Sequence, residues 1–365
     1  MPTENRIAPI RVFVESWADR DNTNAQNLSS KEIVARLDPK RFHVTMICGR
    51  DPDARIASRP NTVLLPWRRH GNTLLNFLYL VSQKPDIYFF PRVGALYSLY
   101  NPIRSRIKLP TKIVAYVVST LSAADHEKSY FNDAQRNFYK EIRAQCRAAD
   151  IVVGNSMHVS NDIHQLLGIS AEAIHSGIDP SIFFANVLPT QKSTVTVLYA
   201  GSFQRRKRPD VLISEAQRWP NVRFRMVGEG EELKPCMALT EQLGCSNVTF
   251  LGHLPQAKLA EEMRNADIFL FPSLVEGHPQ VLGQAAACGL PCIAMDCYHP
   301  DYVVHGETGF LCSDFDDLSK RLREFLDDSA LRAKMSQAAM AHARKFDWNA
   351  VVKQWERLFE RVVIS

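Results

Sequence analysis

The sequence predicts two α/β doubly wound domains in one chain. Three observations carry this. At 365 residues the chain exceeds what one hydrophobic core usually serves. Short apolar runs alternate with helical patterns in both halves. Several of those runs are continuous and rich in β-branched and aromatic residues, as parallel strands buried on both faces require.

Taken in order, strands are expected at IRVFVE, FHVTMIC, DIYFFP, KIVAYVV and DIVVGN, then at TVLYAG, RFRMVG, VTFLG, DIFLFPS and PCIAMD. Helical patterns include SSKEIVARL, RPDVLISEAQRW, AKLAEEMRNA and DDLSKRLREFLDD. The join is expected near residues 184–194, FANVLPTQKST, where periodicity gives way to Pro, Thr and Ser. That sets a first domain at 1–185 and a second at 186–346, with a closing helix at 347–365.

Composition is ordinary for a globular protein, with 45% hydrophobic and 23% charged residues. No apolar run reaches the ~18 residues of a membrane span, and MPTENRIAPIRV lacks a signal-peptide core, so a cytoplasmic protein is expected. The eight cysteines form no CxxC pair and no zinc spacing, which reads as reduced, buried thiols. Charge is uneven: residues 1–185 carry 23 Lys/Arg against 17 Asp/Glu, a net +6, and the rest 21 against 22, a net −1. The two halves therefore face different partners.

Ligands of such sheets bind beyond the carboxyl ends of the strands, so the strand-to-helix loops carry the chemistry. In TVLYAGSFQRRKRPDVLI a strand ends at Gly201 and Ser202, and a helix is expected from about Pro209. Arg205, Arg206, Lys207 and Arg208 then crowd a helix N-terminus that attracts anions, or form a basic surface turn. RFRMVGEGEEL places Gly228 and Gly230 after a strand, but Leu233 stands where a dinucleotide fingerprint needs a third glycine. Those glycines either let backbone approach another nucleotide or only turn the chain.

EGHPQVLGQ, residues 276–284, places Glu276 in a loop and Pro279 in the first turn of a helix. The amides near Gln280, Val281 and Leu282 are then open donors, and Gln284 lies one turn further in. An acid before an anion site makes sense if a sugar hydroxyl lies between carboxylate and phosphate. After the first strand, Asn22, Thr23 and Asn24 either cap a helix, or Ser29 with Glu32 forms a capping box and starts it later.

These segments identify a resemblance. YAGSFQRRKRPDVLI, RMVGEGEEL, NVTFLGHLP, NADIFLFPSLVEGHPQVLGQAAACGLPCIA and VVHGETGFL resemble, in order and spacing, the nucleotide-sugar domain of retaining GT-B glycosyltransferases of glycosyltransferase family four, the glycosyl transferases group 1. The match covers about residues 196–312; AIHSGIDPSIF resembles the family's segment leading into the domain join, FDWNAVVKQWERLFERV resembles its last helix, which returns to the first domain, and the rest of the first half matches only in pattern.

The resemblance implies a GT-B fold, two Rossmann-like domains facing across a cleft, and sugar transfer from a nucleotide diphosphate with retention and without a metal or other cofactor. By the same resemblance Lys207 binds diphosphate and Glu276 binds donor-sugar hydroxyls, the two forming the catalytic pair. Gly277 and the amides from His278 to Leu282 face the donor, and the loop at Gly252, His253 and Leu254 edges the base. The donor is of UDP or GDP type, and the acceptor a glycan, a lipid-linked molecule or a small molecule. The acidic run Asp314–Asp317 reads as a loop end and helix cap rather than a metal site.

Three positions depart from the family. Gln284 stands where an acid usually receives the ribose, and Ser202 where an Arg is common; Arg205 or Arg206 can replace the latter. Ser119 and Thr120 stand where the first domain often has a His, with His126 further on. The departures leave two alternatives: a weak or inactive subunit that binds a nucleotide sugar or a partner, and a nucleotide-sugar epimerase. LLPWRRHGNTLLNFLYL (64–80) and YSLYNPIRSRIKLP (97–110) mix cations with apolar residues. They are read either as a peripheral membrane surface or as core-packed helices with solvated basic ends. Nucleic acid is not an expected partner: pI ≈ 8.7 is modest and no nucleic-acid motif occurs.

Overall fold

The computed structural model describes residues 8–20, 25–67, 72–90, 95–126, 130–186 and 194–364. Two compact units emerge, Met1–His175 with Trp348–Ser365, and Ser176–Asp347. The sequence set its first boundary at 185/186. The units divide earlier because Ile178 and Phe183 already pack in the second core, whereas Ile174 packs in the first.

The first unit runs β1 (Ile10–Trp17), α1 (Ala25–Arg36), β2 (Phe42–Cys48), α2 (Ala54–Ala57), β3 (Thr62–Pro66), α3 (Asn72–Gln83), β4 (Ile87–Phe90), α4 (Ala95–Arg106), β5 (Lys112–Val117), α5 (Ala123–His126), α6 (Asp133–Ala148), β6 (Ile151–Gly154), α7 (Met157–Leu167) and β7 (Ala171–Ala173). Its sheet has the order β3-β2-β1-β4-β5-β6-β7, all pairs parallel. On one face Val12, Val14, Phe42 and Phe89 pack against Ile33 and Val34 of α1. Helix α1 begins at Ala25, so Ser29 lies inside it and the capping box does not form. Glu32 pairs instead with Arg36 and Arg55.

The second unit runs β8 (Thr196–Ala200), α8 (Asp210–Arg218), β9 (Arg223–Val227), α9 (Leu233–Gln242), β10 (Val248–Phe250), α10 (Gln256–Arg264), β11 (Ile268–Phe271), α11 (Gln280–Ala287), β12 (Cys292–Met295), β13 (Gly309–Cys312), α12 (Phe315–Asp327) and α13 (Ser329–Ala343). Its sheet has the order β10-β9-β8-β11-β12-β13, again parallel. β8 and β11 are buried along their whole length, which is why they read as unbroken apolar runs.

Helix α14 (Trp348–Ile364) returns to the first unit, as the family resemblance implies. Its Trp355 is fully buried, with ring centroids 5.0 Å from both Phe89 and Tyr116. Glu356 anchors it by accepting from the Asp38 amide at 2.9 Å. All eight cysteines are free thiols, six of them buried. Among the described residues no helix is long and apolar enough to cross a membrane.

Candidate functional site

Strand order locates the site. From β8 the second sheet winds out to β10, then the chain returns to lay β11 on the other side of β8. The connections leaving β8 and β11 therefore run to opposite faces, and a crevice opens beyond their carboxyl ends. The sequence-predicted loops 201–208 and 272–279 leave those two strand ends.

Lys207 and Glu276 meet there. The Lys207 ammonium donates to Glu276 Oε1 at 2.7 Å, and Ser273 Oγ donates to the same oxygen at 2.7 Å. Arg206 Nη1 lies 3.3 Å from that oxygen and donates to the Val275 carbonyl, while Leu274 N donates to Arg206 O at 2.9 Å. Side-chain exposure is only 13% for Lys207 and 10% for Glu276. One carboxylate thus serves two cations at a nearly dry strand end. Burial opposes the charge on Glu276, but Lys207, Arg206 and the two hydrogen bonds outweigh it and hold the carboxyl below its usual range. Burial pushes the Lys207 ammonium down against the pull of Glu276, and the Arg206 charge pushes the same way as burial. Its Nζ also lies 5.1 Å from the Phe271 ring centroid.

The basic loop does not crowd the start of α8 as the sequence suggests. Arg205–Lys207 form their own 3₁₀ turn, and Arg208, at φ +47°, breaks away from it. Arg208 then spends its guanidinium on Asp210, at 2.7 Å, and stacks over Phe315. Arg205 is exposed.

The Gly-x-Gly loop has a definite use. A Cβ on Gly228 would lie 1.9 Å from the Gly201 carbonyl oxygen, and one on Gly230 would lie 2.4 Å from that of Phe203. Both residues have φ values only glycine adopts readily, +135° and +151°. The backbone that approaches is this chain's own: Gly201 N donates to Val227 O, Phe203 N to Glu229 O, and Gly228 N to Gly252 O. The loops after β8, β9 and β10 are thereby laced together, bringing Gly201, Ser202, Gly228, Gly230, His253 and Leu254 to the strand end that holds Lys207. The Ser202 carbonyl accepts from Tyr199 Oη at 3.2 Å.

In the EGHPQVLGQ loop, Pro279 occupies the N-cap position rather than the first turn, and α11 begins at Gln280. The Leu282 amide is not open, because it donates to Pro279 O at 3.0 Å. The His278 ring lies in the core, stacked 4.1 Å from Tyr302. Gly283 fits where a Cβ would strike that tyrosine at 2.6 Å, which explains the small-residue character of α11. Gln280, Val281 and Gln284 are partly exposed, and among the described residues the Gln284 side chain makes no hydrogen bond.

Sequence reasoning missed Ser273 and two buried tyrosines. Burial raises the phenols of Tyr199 and Tyr298, and the Glu276 charge adds to it. Their only sequence signal was their place beside strand ends.

In the first unit, Ser119 and Thr120 follow β5, and His126 ends α5. The loop is held from below: Asp162 accepts from the Leu121 and Ser122 amides, and Arg143 donates to the Leu121 carbonyl. Asn22, Thr23 and Asn24 lie outside the described residues. Asp314 caps α12 by accepting from Asp317 N at 2.8 Å, as the sequence predicts.

Residues 182–342 match the family described as glycosyl transferases group 1. The chain is 26% identical over 293 residues to N-acetyl-alpha-D-glucosaminyl L-malate synthase of Bacillus anthracis, covering 76% of this chain and 74% of that one. Sucrose-phosphate synthase from Thermosynechococcus elongatus superposes with a TM-score of 0.80 at 18% identity, over 97% of this chain and 99% of that one. Anabaena Alr3699/HepE in complex with UDP-glucose gives 0.76 at 17% identity, over 96% and 99%. Across residues 182–342 the chain thus resembles the glycosyl transferases group 1 family, and it is a glycosyltransferase of the GT-B fold.

Proposed function

We propose that the protein moves a sugar, with retention at the anomeric carbon, from a nucleotide-diphosphate sugar to a glycan, lipid-linked or small-molecule acceptor. The observation that carries this is the Lys207–Glu276–Arg206 arrangement, two cations sharing one carboxylate at the switch point of the sheet. A diphosphate supplies the second negative charge that this arrangement lacks. Lys207 then stabilises charge on the departing diphosphate, and Arg206 takes the part that an arginine at position 202 plays in the family. The amides at the start of α11 add donors to the same anion. Glu276, released from Lys207, receives the hydroxyls of the donor sugar, and Gln284 receives the ribose.

In the reaction the bond from sugar C1 to the β-phosphate oxygen breaks, and its electron pair stays on the diphosphate. The acceptor oxygen bonds C1 on the same face, and its proton leaves to the departing phosphate. Positive charge from Lys207 and Arg206 does the work for which other transferases use a cation, so we propose that no metal or other cofactor is needed, in a protein acting in the cytoplasm. The UDP-glucose bound by the Anabaena protein suggests a UDP-type donor as the first to try. Incubation with UDP- and GDP-sugars tests the reading. Release of nucleoside diphosphate with one of them, lost in Lys207→Ala, is the expected result; epimerised donor without release, or binding without turnover in the presence of varied acceptors, would overturn it.

A further inference from the structure

Helices α3 and α4 cover one face of the first sheet, and their inner sides are well packed: Leu80, Leu96, Tyr97 and Tyr100 form one core cluster with Phe13 and Tyr88. Their outer sides are not what a water-facing surface usually shows. Leu74, Leu75 and Leu78 are 57%, 47% and 52% exposed, and they fall on one helical face at spacings of three and four. No charged residue occurs anywhere in α3, NTLLNFLYLVSQ. Leu99, 40% exposed, lies in the second turn of α4, and parallel crossovers run the two helices the same way. Single exposed leucines are ordinary, but a contiguous set marks a surface that something covers.

Charge identifies what covers it. Residues 64–112 contain eight Lys/Arg and one Asp/Glu. The lone acid, Asp86, is taken by Arg11, and Arg104 is spent on Asp150 and the Thr111 carbonyl. Arg106 and Lys108, at the far end of α4, are exposed. A second copy of this chain would set these like charges against each other across a self-contact; an anionic lipid surface neutralises them while receiving the leucines. We propose that the outer face of α3 and α4 docks on an anionic bilayer, lying on it rather than crossing it. This goes beyond the donor chemistry proposed above and does not depend on it.

Flotation of the full chain with vesicles of phosphatidylcholine, alone or mixed with phosphatidylglycerol, tests the proposal. Binding is expected only to the mixed vesicles and should weaken in high salt. Leu74→Ser with Leu78→Ser should lower partitioning by about tenfold or more. Arg106→Ser with Lys108→Ser should lower it roughly 25-fold at low salt. All four positions are solvent-facing, so melting temperature and UDP-induced stabilisation should stay at the parental values. Those readouts separate a failure of this proposal from a failure of the donor reading. Equal binding to neutral and mixed vesicles would overturn the proposal. So would binding to neither, or a lipid-free dimer that the leucine substitutions turn into a monomer.

Discussion

Glu276→Gln removes one charge from the centre of the site and leaves its shape in place. In the parent the carboxylate lies 2.7 Å from the Lys207 ammonium and 3.3 Å from the Arg206 guanidinium. Breaking a buried pair from one side costs ~3–5 kcal/mol. The amide oxygen can still accept from Lys207 and Ser273, which brings the expected loss to about 2–3 kcal/mol. For a unit the size of Ser176–Asp347 this is a fall in melting temperature of roughly 4–12 °C. Two cations freed of their carboxylate should hold a diphosphate more tightly, so UDP should raise the variant's melting temperature more than the parent's. The dependence on pH follows from the depressed carboxyl. Its stabilising contribution is complete above the ordinary value of 4.5 and is lost as pH falls through the depressed one, so parent and variant should converge in strong acid. Turnover should fall ~10²-fold, mainly in kcat. Calorimetry with and without UDP, alongside steady-state kinetics, measures all of this. A variant that melts with the parent, gains no extra stability from UDP and turns over normally would refute the reasoning.

Three further outcomes are expected. Gln284→Ala should leave stability within ~0.5 kcal/mol of the parent, since its side chain makes no hydrogen bond among the described residues, and should raise donor KM about tenfold with kcat unchanged; a loss mainly in kcat would contradict a ribose contact. Gly228→Ala puts a Cβ 1.9 Å from the Gly201 carbonyl at φ +135°, so urea unfolding should show a loss of at least ~3 kcal/mol, and an unchanged midpoint would mean the two loops part freely. Trp355→Ala should cost the first unit ~3–5 kcal/mol while UDP still stabilises the second, seen as two separated thermal transitions; a single lowered transition would contradict this.

Ten strands were legible in the sequence: the nine central ones, most of them apolar along their length, and the edge strand β10. The three that were not, β3, β7 and β13, are all edge strands. β3 ends in Pro66, β7 is only Ala-Glu-Ala, and β13 opens with Gly309, so none shows a continuous β-branched run. Ser29 with Glu32 has the spacing of a capping box, but the helix had already begun and Glu32 answered to arginines instead. At the site, the residue types were readable from their loops, but the ion pair was not. Lys207 and Glu276 are far apart in the chain and meet only because β11 lies beside β8, which is a fact of sheet order rather than of local pattern. His278 looked like part of a donor-facing loop, yet its ring serves the core against Tyr302.

The return of α14 has a consequence for how the chain is made. The second unit is one unbroken stretch, Ser176–Asp347, inserted into the first. As the chain leaves the ribosome, that stretch can close its own core as soon as it has emerged, although it is synthesised second. The first unit must wait with the α14-facing side of its sheet open, because Trp355 and Phe359 seal Phe42 and Phe89. Its amino-terminal strands are thus made first and finished last. During that interval a chaperone would find its apolar surface on the half of the protein already longest out of the tunnel.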